Sequence, residues 1–386
     1  MKFENLNEKV IEEISKEEPQ WFVNDRLLCL SIFNKLDDDS FKYGLTIKTD
    51  VSEIKVNDFR SKFNLIIKND DERVIIKDFK ESFEDYEDLI KKYFMKELKS
   101  KLDFLHKAIS QNCMLIYIPK DVEVKNMVIL DYEFLENNSF DHLLIVADEN
   151  SKINILEILN NGNNMFRNGF VEVYARNSST VNFFSLQNLK SNVNNFSTKK
   201  AFIGKDAQCN FYNFDFGSAL NHSHVESKII DSGASSNIKC IYFSNEKQHF
   251  DLSYNTIHKA ENTFSTIYAR GVLDDYSNAI YKGLIRIESN APNSSGYQKE
   301  DVLLVSENAK ADSIPNLEIE NNDVKCSHGA TISHLDNEKM FYLMSRGINE
   351  KESAMIMIEG FLLGLIDNID DELKRVITEL VRNKIK

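Results

Sequence analysis

The chain has 386 residues, 42 % of them hydrophobic, with 61 acidic against 47 basic side chains and a formal net charge of −14. That composition supports a globular core in two or three packed units, while the negative field repels phosphate backbones and disfavours nucleic-acid partners. No run of about 18 apolar residues occurs, which excludes a membrane-spanning helix, and the charged start MKFENLNEKVIEEISKEEPQ lacks the apolar stretch of a signal peptide.

Residues 4–36 read as helical, interrupted at Glu18-Pro19, with Trp21, Phe22, Leu27, Leu28, Leu30, Ile32 and Phe33 forming an apolar face. Between 41 and 79 the runs LTIKT, FNLIIKN and RVIIKDF are separated by polar breaks and predict two or three strands of a small appended sheet. Helical spacing returns over 82–110, with Phe83, Leu89, Ile90, Phe94, Leu98 and Leu105 on one stripe.

From about 113 to 326 short strand-like segments follow one another without a helical stripe: MLIYIP, HLLIVAD, FVEVYAR, CNFYNFDF, IKCIYFS and others. Small polar turns recur among them as DENSKIN, ARNSSTVN, GKDAQCN, SGASSNI and AENTFS. Aligned on Ser151, Ser179, Ala207, Ser235 and Thr263, they are spaced by 28 residues throughout. A fixed period of this size predicts a repeat architecture. With no helix in the unit, that architecture is a β-solenoid whose coils stack around a continuous core. In VEVYAR, Val171, Val173 and Ala175 point one way and Glu172, Tyr174 and Arg176 the other. The alternative is a β-sandwich with coincidental turn spacing. Phe183, Phe184, Phe211, Tyr212, Phe214 and Phe216 read as core and stacking residues.

After residue 333 helices return. Asp336 is positioned as an N-cap, Gly347 as a stop, and Asn349 to Glu352 as a capping box. Met355, Ile358, Phe361, Leu362 and Leu365 form one stripe, and Leu373, Val376, Ile377, Leu380 and Val381 another. Two such helices must dock on the solenoid or on a partner.

Cys29, Cys113, Cys209, Cys240 and Cys326 are odd in number and contain no C-x-x-C pair. That pattern fits reduced thiols in a cytoplasmic protein, and excludes a self-contained four-cysteine zinc site. Cys326 and His328 offer a thiol and an imidazole two residues apart, hence on one side of an extended strand, a soft donor pair for a transition metal. A Cys326 that packs as a small hydrophobe is the competing account. His222 and His224 repeat the spacing, but such lone pairs are mostly solvent-facing or structural; His249 and His258 read as structural. The carboxylate pairs Asp274-Asp275 and Glu318-x-Glu320 leave open a polysaccharide-active β-helix enzyme. The chain has no Walker A, G-x-S-x-G or G-x-G-x-x-G motif.

The stretch from Pro315, PNLEIENNDVKCSHGATISHLDNEKMFYLMSRGI, resembles the C-terminal signature of the SufB/SufD family of iron–sulfur cluster assembly scaffolds. Residues 271–319 resemble that family's last coils, and EEPQWFVNDRLLCL at 17–30 its N-terminal helix. The resemblance implies a mainly β protein with a right-handed parallel β-helix core. It divides the chain into an N-terminal helical region with small strands (1–110), the β-helix (111–332) and a C-terminal helical domain (333–386) that docks an ABC-type ATPase, SufC. It further implies a non-catalytic, cytoplasmic scaffold. Such a scaffold pairs with a SufB-like subunit, receives sulfur indirectly from a cysteine desulfurase, and holds a transient Fe–S cluster or iron at the subunit interface. Binding of a flavin stays open. SufB-like chains carry a cysteine where this chain has Ile319, and CSHGAT at Cys326–Thr331 resembles SufD. On that basis His328 is the expected metal ligand and Cys326 an accompanying cluster-binding residue. A homodimeric SufB-like scaffold is the alternative within the family.

Overall fold

The computed structural model of the chain describes residues 1–43, 46–135, 138–366 and 369–385. Short β-branched and aromatic runs, each ended by a tight turn, leave the chain one economical way to bury them, which is to stack turn upon turn. Strands from Gln111–Ile118 to Val324–His334 alternate between two nine-stranded sheets, so each strand pairs with those before and after it in the coil stack. Pairing within the stack is parallel, as between Lys152–Asn161 and Thr180–Leu189, or Asn278–Ile287 and Lys310–Ile319. The core is therefore a β-solenoid, as the repeat predicts, and not a sandwich.

The turns explain the period. Each carries a residue of positive φ (Asn150 56°, Ser178 58°, Asp206 55°, Gly233 73°, Asn262 58°) followed by a small, buried one. Asn, Asp and Gly visit that backbone region at least cost. The buried positions are Ser151, Ser179, Ala207, Ala234 and Thr263, so the fourth is Ala234 and not the expected Ser235. Gln208 pairs with Ser235 and Ser235 with Phe264, making one coil 27 residues and the next 29; the two departures cancel and imitate a constant 28. Outside the wall, the amides of Asn182, Asn210 and Asn237 each donate to the asparagine one coil back (Asn154, Asn182, Asn210) at 2.7–2.8 Å, a ladder that locks neighbouring coils in register.

Val171, Val173 and Ala175 enter the lumen cluster as expected. Glu172 and Tyr174 point outward but are covered by the N-terminal helices α1 (Glu8–Ile14), α2 (Gln20–Phe33), α3 (Phe79–Asp85), α4 (Glu87–Tyr93) and α5 (Lys101–Ile109). The Glu172 carboxylate accepts from the Met95 N–H at 2.7 Å, and the Tyr174 hydroxyl donates to the Tyr93 carbonyl at 2.7 Å. The apolar face expected on α2 is only partly right. Phe22, Leu30 and Phe33 are buried, but Leu28 is exposed and Arg26 is buried. Arg26 is satisfied by Glu18 at 2.7 Å and by the carbonyl of Ser110 at 2.7 Å.

The runs around residues 63–68 and 75–78 do not build a separate sheet. Phe63–Lys68 pairs antiparallel with Val128–Phe134, and Ile75–Asp78 antiparallel with Gln111–Ile118. They extend the two solenoid sheets by one strand each at the N-terminal end. LTIKT contributes only the two-residue strand Ile47–Lys48, and its Leu45 lies outside the described residues.

At the other end come α6 (Asn337–Ser345), α7 (Glu350–Leu363) and α8 (Asp371–Lys384). Asp336 caps α6 by accepting from the N–H groups of Glu338 and Lys339, and Gly347 at φ 89° stops it. Asn349 caps α7. Ile358, Leu362, Ile377 and Val381 pack with Phe184, Phe214, Ile241 and Phe243 on the outer wall of one sheet. Phe183 and Phe211 face the lumen instead, and Phe184 stacks on Tyr212 outside at 4.5 Å.

Candidate functional site

The last coil consists of Lys310–Ile319 and Val324–His334, which are the terminal strands of the two sheets. Among the described residues no strand pairs with their outer edges. Two long edges of unpaired N–H and C=O groups are a template for another chain unless something covers them. The opposite end of the solenoid is shielded differently, by the antiparallel strands and the N-terminal helices.

Cys326 and His328 sit on this rim. His328 pairs in register with Gln298 and Cys326 with Gly296, both lumen-facing positions of the preceding coil, so the two side chains share the lumen face of the last strand. Cys326 is half-buried and packs against the end of the lumen cluster, and burial pushes its thiol up from the ordinary range. The packing account of Cys326 thus holds in part, alongside an opening to solvent. His328 is exposed. A Cβ on the neighbouring Gly329 would meet no atom within 4 Å, which shows how open this edge is. Ile319 and Ile332 stand on the same rim, 40 % and 45 % exposed.

The donor set here is incomplete. Iron–sulfur clusters are held by about four thiolate or imidazole donors, and this rim supplies one exposed imidazole and one half-buried thiol. Among the described residues no three His, Cys, Asp or Glu side chains gather into a metal site anywhere.

The other sequence candidates separate from the rim. Asp275 lies in a turn and its carboxylate accepts from the Glu246 N–H at 3.0 Å, while Glu318 and Glu320 flank Arg286 at 3.8 and 3.0 Å. These carboxylates serve turns and ion pairs and do not face each other across a cleft. His258 is held by Thr263 and Ser265 at 2.7 and 2.8 Å, and His249 by Thr49 at 2.9 Å, both structural as expected. His222 and His224 are not solvent-facing. They lie under the N-terminal region, and burial lowers their pKa values to about 4 and about 3.

A family model describing the SufBD core domain of SUF-system FeS cluster assembly matches residues 132–361. The chain belongs to the SufBD family. Its relatives include an iron–sulfur cluster assembly SufBD family protein of Staphylococcus epidermidis, 25 % identical over 92 % of this chain and 88 % of that protein. The SufD of Bacillus subtilis is 28 % identical over 78 % and 72 %, and a Staphylococcus aureus SufBD family protein 27 % over 73 % and 62 %. The matched core domain spans every coil from Tyr132 onward and reaches into α7.

Sequence reasoning missed one surface on this SufBD chain. The helix α6 buries none of its residues, and Phe341, Tyr342 and Met344 are 73 %, 58 % and 44 % exposed. The FYLM run could have signalled it, since aromatic residues outside any buried stripe ask for a partner. Behind this helix, α7 is tied to the wall. Arg270 donates to the Phe361 carbonyl at 2.6 Å and Lys239 to the Leu365 carbonyl at 3.2 Å, two cations at a helix C-terminus where the backbone dipole favours them. No helix among the described residues is long and apolar enough to cross a membrane.

Proposed function

We propose that this chain is a SufD-type, non-catalytic scaffold that acts in the cytoplasm. Its rim, Lys310–Ile319 with Val324–His334, pairs with the last coil of a SufB-like subunit, and His328 contributes one ligand to iron or to a nascent cluster carried between the two chains. Cys326, two residues earlier on the same strand and packed against the lumen cluster, serves as a reserve donor. The observation that supports this most is the coincidence of two bare edge strands with an incomplete donor set, since a second subunit supplies both the missing strand partners and the missing thiolate.

The exposed face of α6 docks a SufC-like ATPase. Movement of the ATPases on nucleotide binding passes through α7 to the Lys239 and Arg270 strands, and so to the coils beneath the rim. Sulfur reaches the SufB-like partner from a cysteine desulfurase.

Co-expression with SufB-like and SufC-like subunits tests the reading. The expected result is a stable ternary complex in which His328→Ala leaves assembly intact and abolishes retention of iron and acid-labile sulfide. A chain that stays apart from both subunits overturns the scaffold role. A His328→Ala complex with undiminished iron overturns the ligand role alone.

A further inference from the structure

The lumen carries its charges in two unlike halves. In the first coils each carboxylate has a cation near it. Asp141 and Glu157 lie 3.1 and 3.6 Å from Arg167. Burial raises the Asp215 carboxyl, and the neighbouring Lys199 ammonium pulls it back. From Ser235 onward the alternation of the strands turns no lysine or arginine into the lumen among the described residues, yet it turns Glu300 there.

Glu300 stands on Ser294–Leu304, one coil beneath the rim and in register with Ala330 of the last strand. It is 2 % exposed. One carboxylate oxygen accepts from the Tyr242 hydroxyl at 2.8 Å, and the other has no partner among the described residues.

Three more unpartnered oxygens gather on the same stretch of lumen. Tyr281 is close enough to Glu300 that, after burial, the Glu300 charge is what pushes its phenol up, and its hydroxyl makes no hydrogen bond. Gln298 donates its amide nitrogen to the Asn316 carbonyl at 3.0 Å, and its side-chain oxygen is left over. That oxygen and the Tyr281 hydroxyl stand together, since a Cβ on Gly283 would meet both. Ser313 neighbours Glu300 and is in register with Tyr281 on the last coil; its hydroxyl is the fourth. Toward the rim the rows of Tyr281 and Glu300 end in Ser313 and Ala330, two small residues, so only a thin layer separates these oxygens from the open end.

The chemistry of the four limits their guest. The Gln298 oxygen can only accept, so it asks for a donor or a cation. A buried carboxylate without a counter-charge is costly. Carboxylate, carbonyl and hydroxyl oxygens together suit a hard cation. The single carboxylate balances one positive charge, which selects a monovalent ion over a divalent one. A water molecule would satisfy the hydroxyls and the amide but leave the charge uncompensated.

We propose that the lumen beneath the rim binds one alkali cation, held by Glu300, Gln298, Tyr281 and Ser313. Three of these residues belong to the penultimate coil and Ser313 to the last, so the ion fastens the coil that carries His328 to the coil below it. The site does not depend on how the rim pairs.

Thermal unfolding of the full chain at pH 8, in potassium, sodium or N-methylglucamine chloride at one ionic strength, tests this. Expected is a midpoint higher by about 2 °C or more in an alkali salt than in the organic one, saturating with concentration. Hydrogen exchange at residues 310–334 should slow in the same salt. The alkali ion that saturates at the lower concentration is the one that fits. Glu300→Gln keeps an acceptor for Tyr242 and removes the charge, so its midpoint should be the same in all three salts. Gln298→Met removes one oxygen at similar volume and should raise the saturating concentration several-fold. Equal midpoints for the native chain in the three salts, or an alkali dependence that survives Glu300→Gln, overturn the proposal. So does stabilisation by magnesium at the same ionic strength but by neither alkali ion.

Discussion

Placing lysine at both Ile319 and Ile332 probes the rim directly. A chain with two bare terminal strands should self-associate when no other subunit is present, and an isologous pair would bring the same rim surfaces together from both protomers. Fully burying an isoleucine side chain is worth about 1.5–3 kcal/mol. Ile319 is 40 % and Ile332 45 % exposed in the single chain, so each still has about 0.6–1.3 kcal/mol to gain, or about 1.3–2.5 kcal/mol per protomer. A symmetric pair carries the loss twice, about 2.5–5 kcal/mol, which raises the dissociation constant by about a hundredfold or more. Each side chain is still more than half buried in the single chain, so by the same arithmetic the pair puts about 2–3 kcal/mol of burial at stake, less what the lysine stems retain along the rim. Two added lysines also reduce a net charge of −14, which by itself would favour association. Weakening therefore cannot be ascribed to general repulsion. Sedimentation velocity over a concentration series reads the constant, with urea denaturation as the control for folding. An unchanged constant, or a native chain that stays monomeric at every concentration, refutes the reasoning.

Other perturbations reach the wall and its attachments. Gly271→Ala would drive a methyl group into the ring of Tyr242, which is fully buried and hydrogen-bonded to Glu300 at 2.8 Å; a loss of about 1–3 kcal/mol or more is expected in chemical denaturation. Arg270→Ala should leave the solenoid folded but free the end of α7, seen as faster hydrogen exchange confined to residues 355–365. Arg26→Met leaves Glu18 and the Ser110 carbonyl without their buried partner and should cost about 3–5 kcal/mol, part of it recovered by adding Glu18→Gln. Stability should also peak near pH 6.5–7. The buried His142 and His258 and the half-buried His222 and His224 are lowered by desolvation to about 3, 4, 4 and 3, so below pH 6.5 the unfolded chain binds protons that the folded chain refuses, and stability falls with pH. Glu172 and Glu300 are raised by burial to about 8 and about 7, so as pH climbs from about 4.5 to those values they cost stability. The lowered imidazoles, His106 and His249 among them, outnumber Glu172 and Glu300 below pH 6.5; above it the two carboxyls lower stability up to about pH 7 and about pH 8, beyond which Lys228, lowered by burial to about 8, begins to restore it. Urea midpoints at pH 5, 6.75 and 8.5 check this, and a higher midpoint at pH 5 than at 6.75 contradicts it.

The solenoid was legible because its determinants are local. A turn needs one residue tolerant of positive φ and one small residue to bury, and both are written within five positions, as in Asp148–Lys152 or Asn177–Val181. The coil lengths of 27 and 29 were hidden because only pairing distinguishes Ala234 from Ser235, and both are small. The strand Phe63–Lys68 was legible as a strand but not as an extension of the solenoid, since a short apolar run carries no mark of its partner. Cys326 and His328 were placed on one face by their spacing alone, and the structure puts both on the lumen face of the last strand. What spacing could not give was depth: the thiol meets the core and the imidazole does not. Contacts between coils were illegible for a different reason: Phe170, Thr198 and His224 become neighbours only through the coil period, and Lys200 finds Asp103 on a helix about a hundred residues away in sequence.

A solenoid has two ends, and each exposes the same hazard of open strands and an open lumen. This chain covers one of them. Phe63–Lys68 and Ile75–Asp78 run antiparallel along the first strands, while α1, α2 and α5 pack over Phe140, Phe166 and Phe196 and α3 and α4 over Leu144, Val146 and Phe170. At the other end the chain simply turns away after His334 into α6, then lays α7 and α8 along the outer wall, where Ile358, Leu362, Ile377 and Val381 bury themselves without touching the rim. The material for a second cap is therefore present, three helices long, and is spent elsewhere. Under the proposed scaffold role a second chain closes that open end, where an imidazole and a thiol stand on the lumen face. The same proposal accounts for the bare face of α6: set beside the wall and not across the rim, it is left for a proposed partner of its own while the rim takes another.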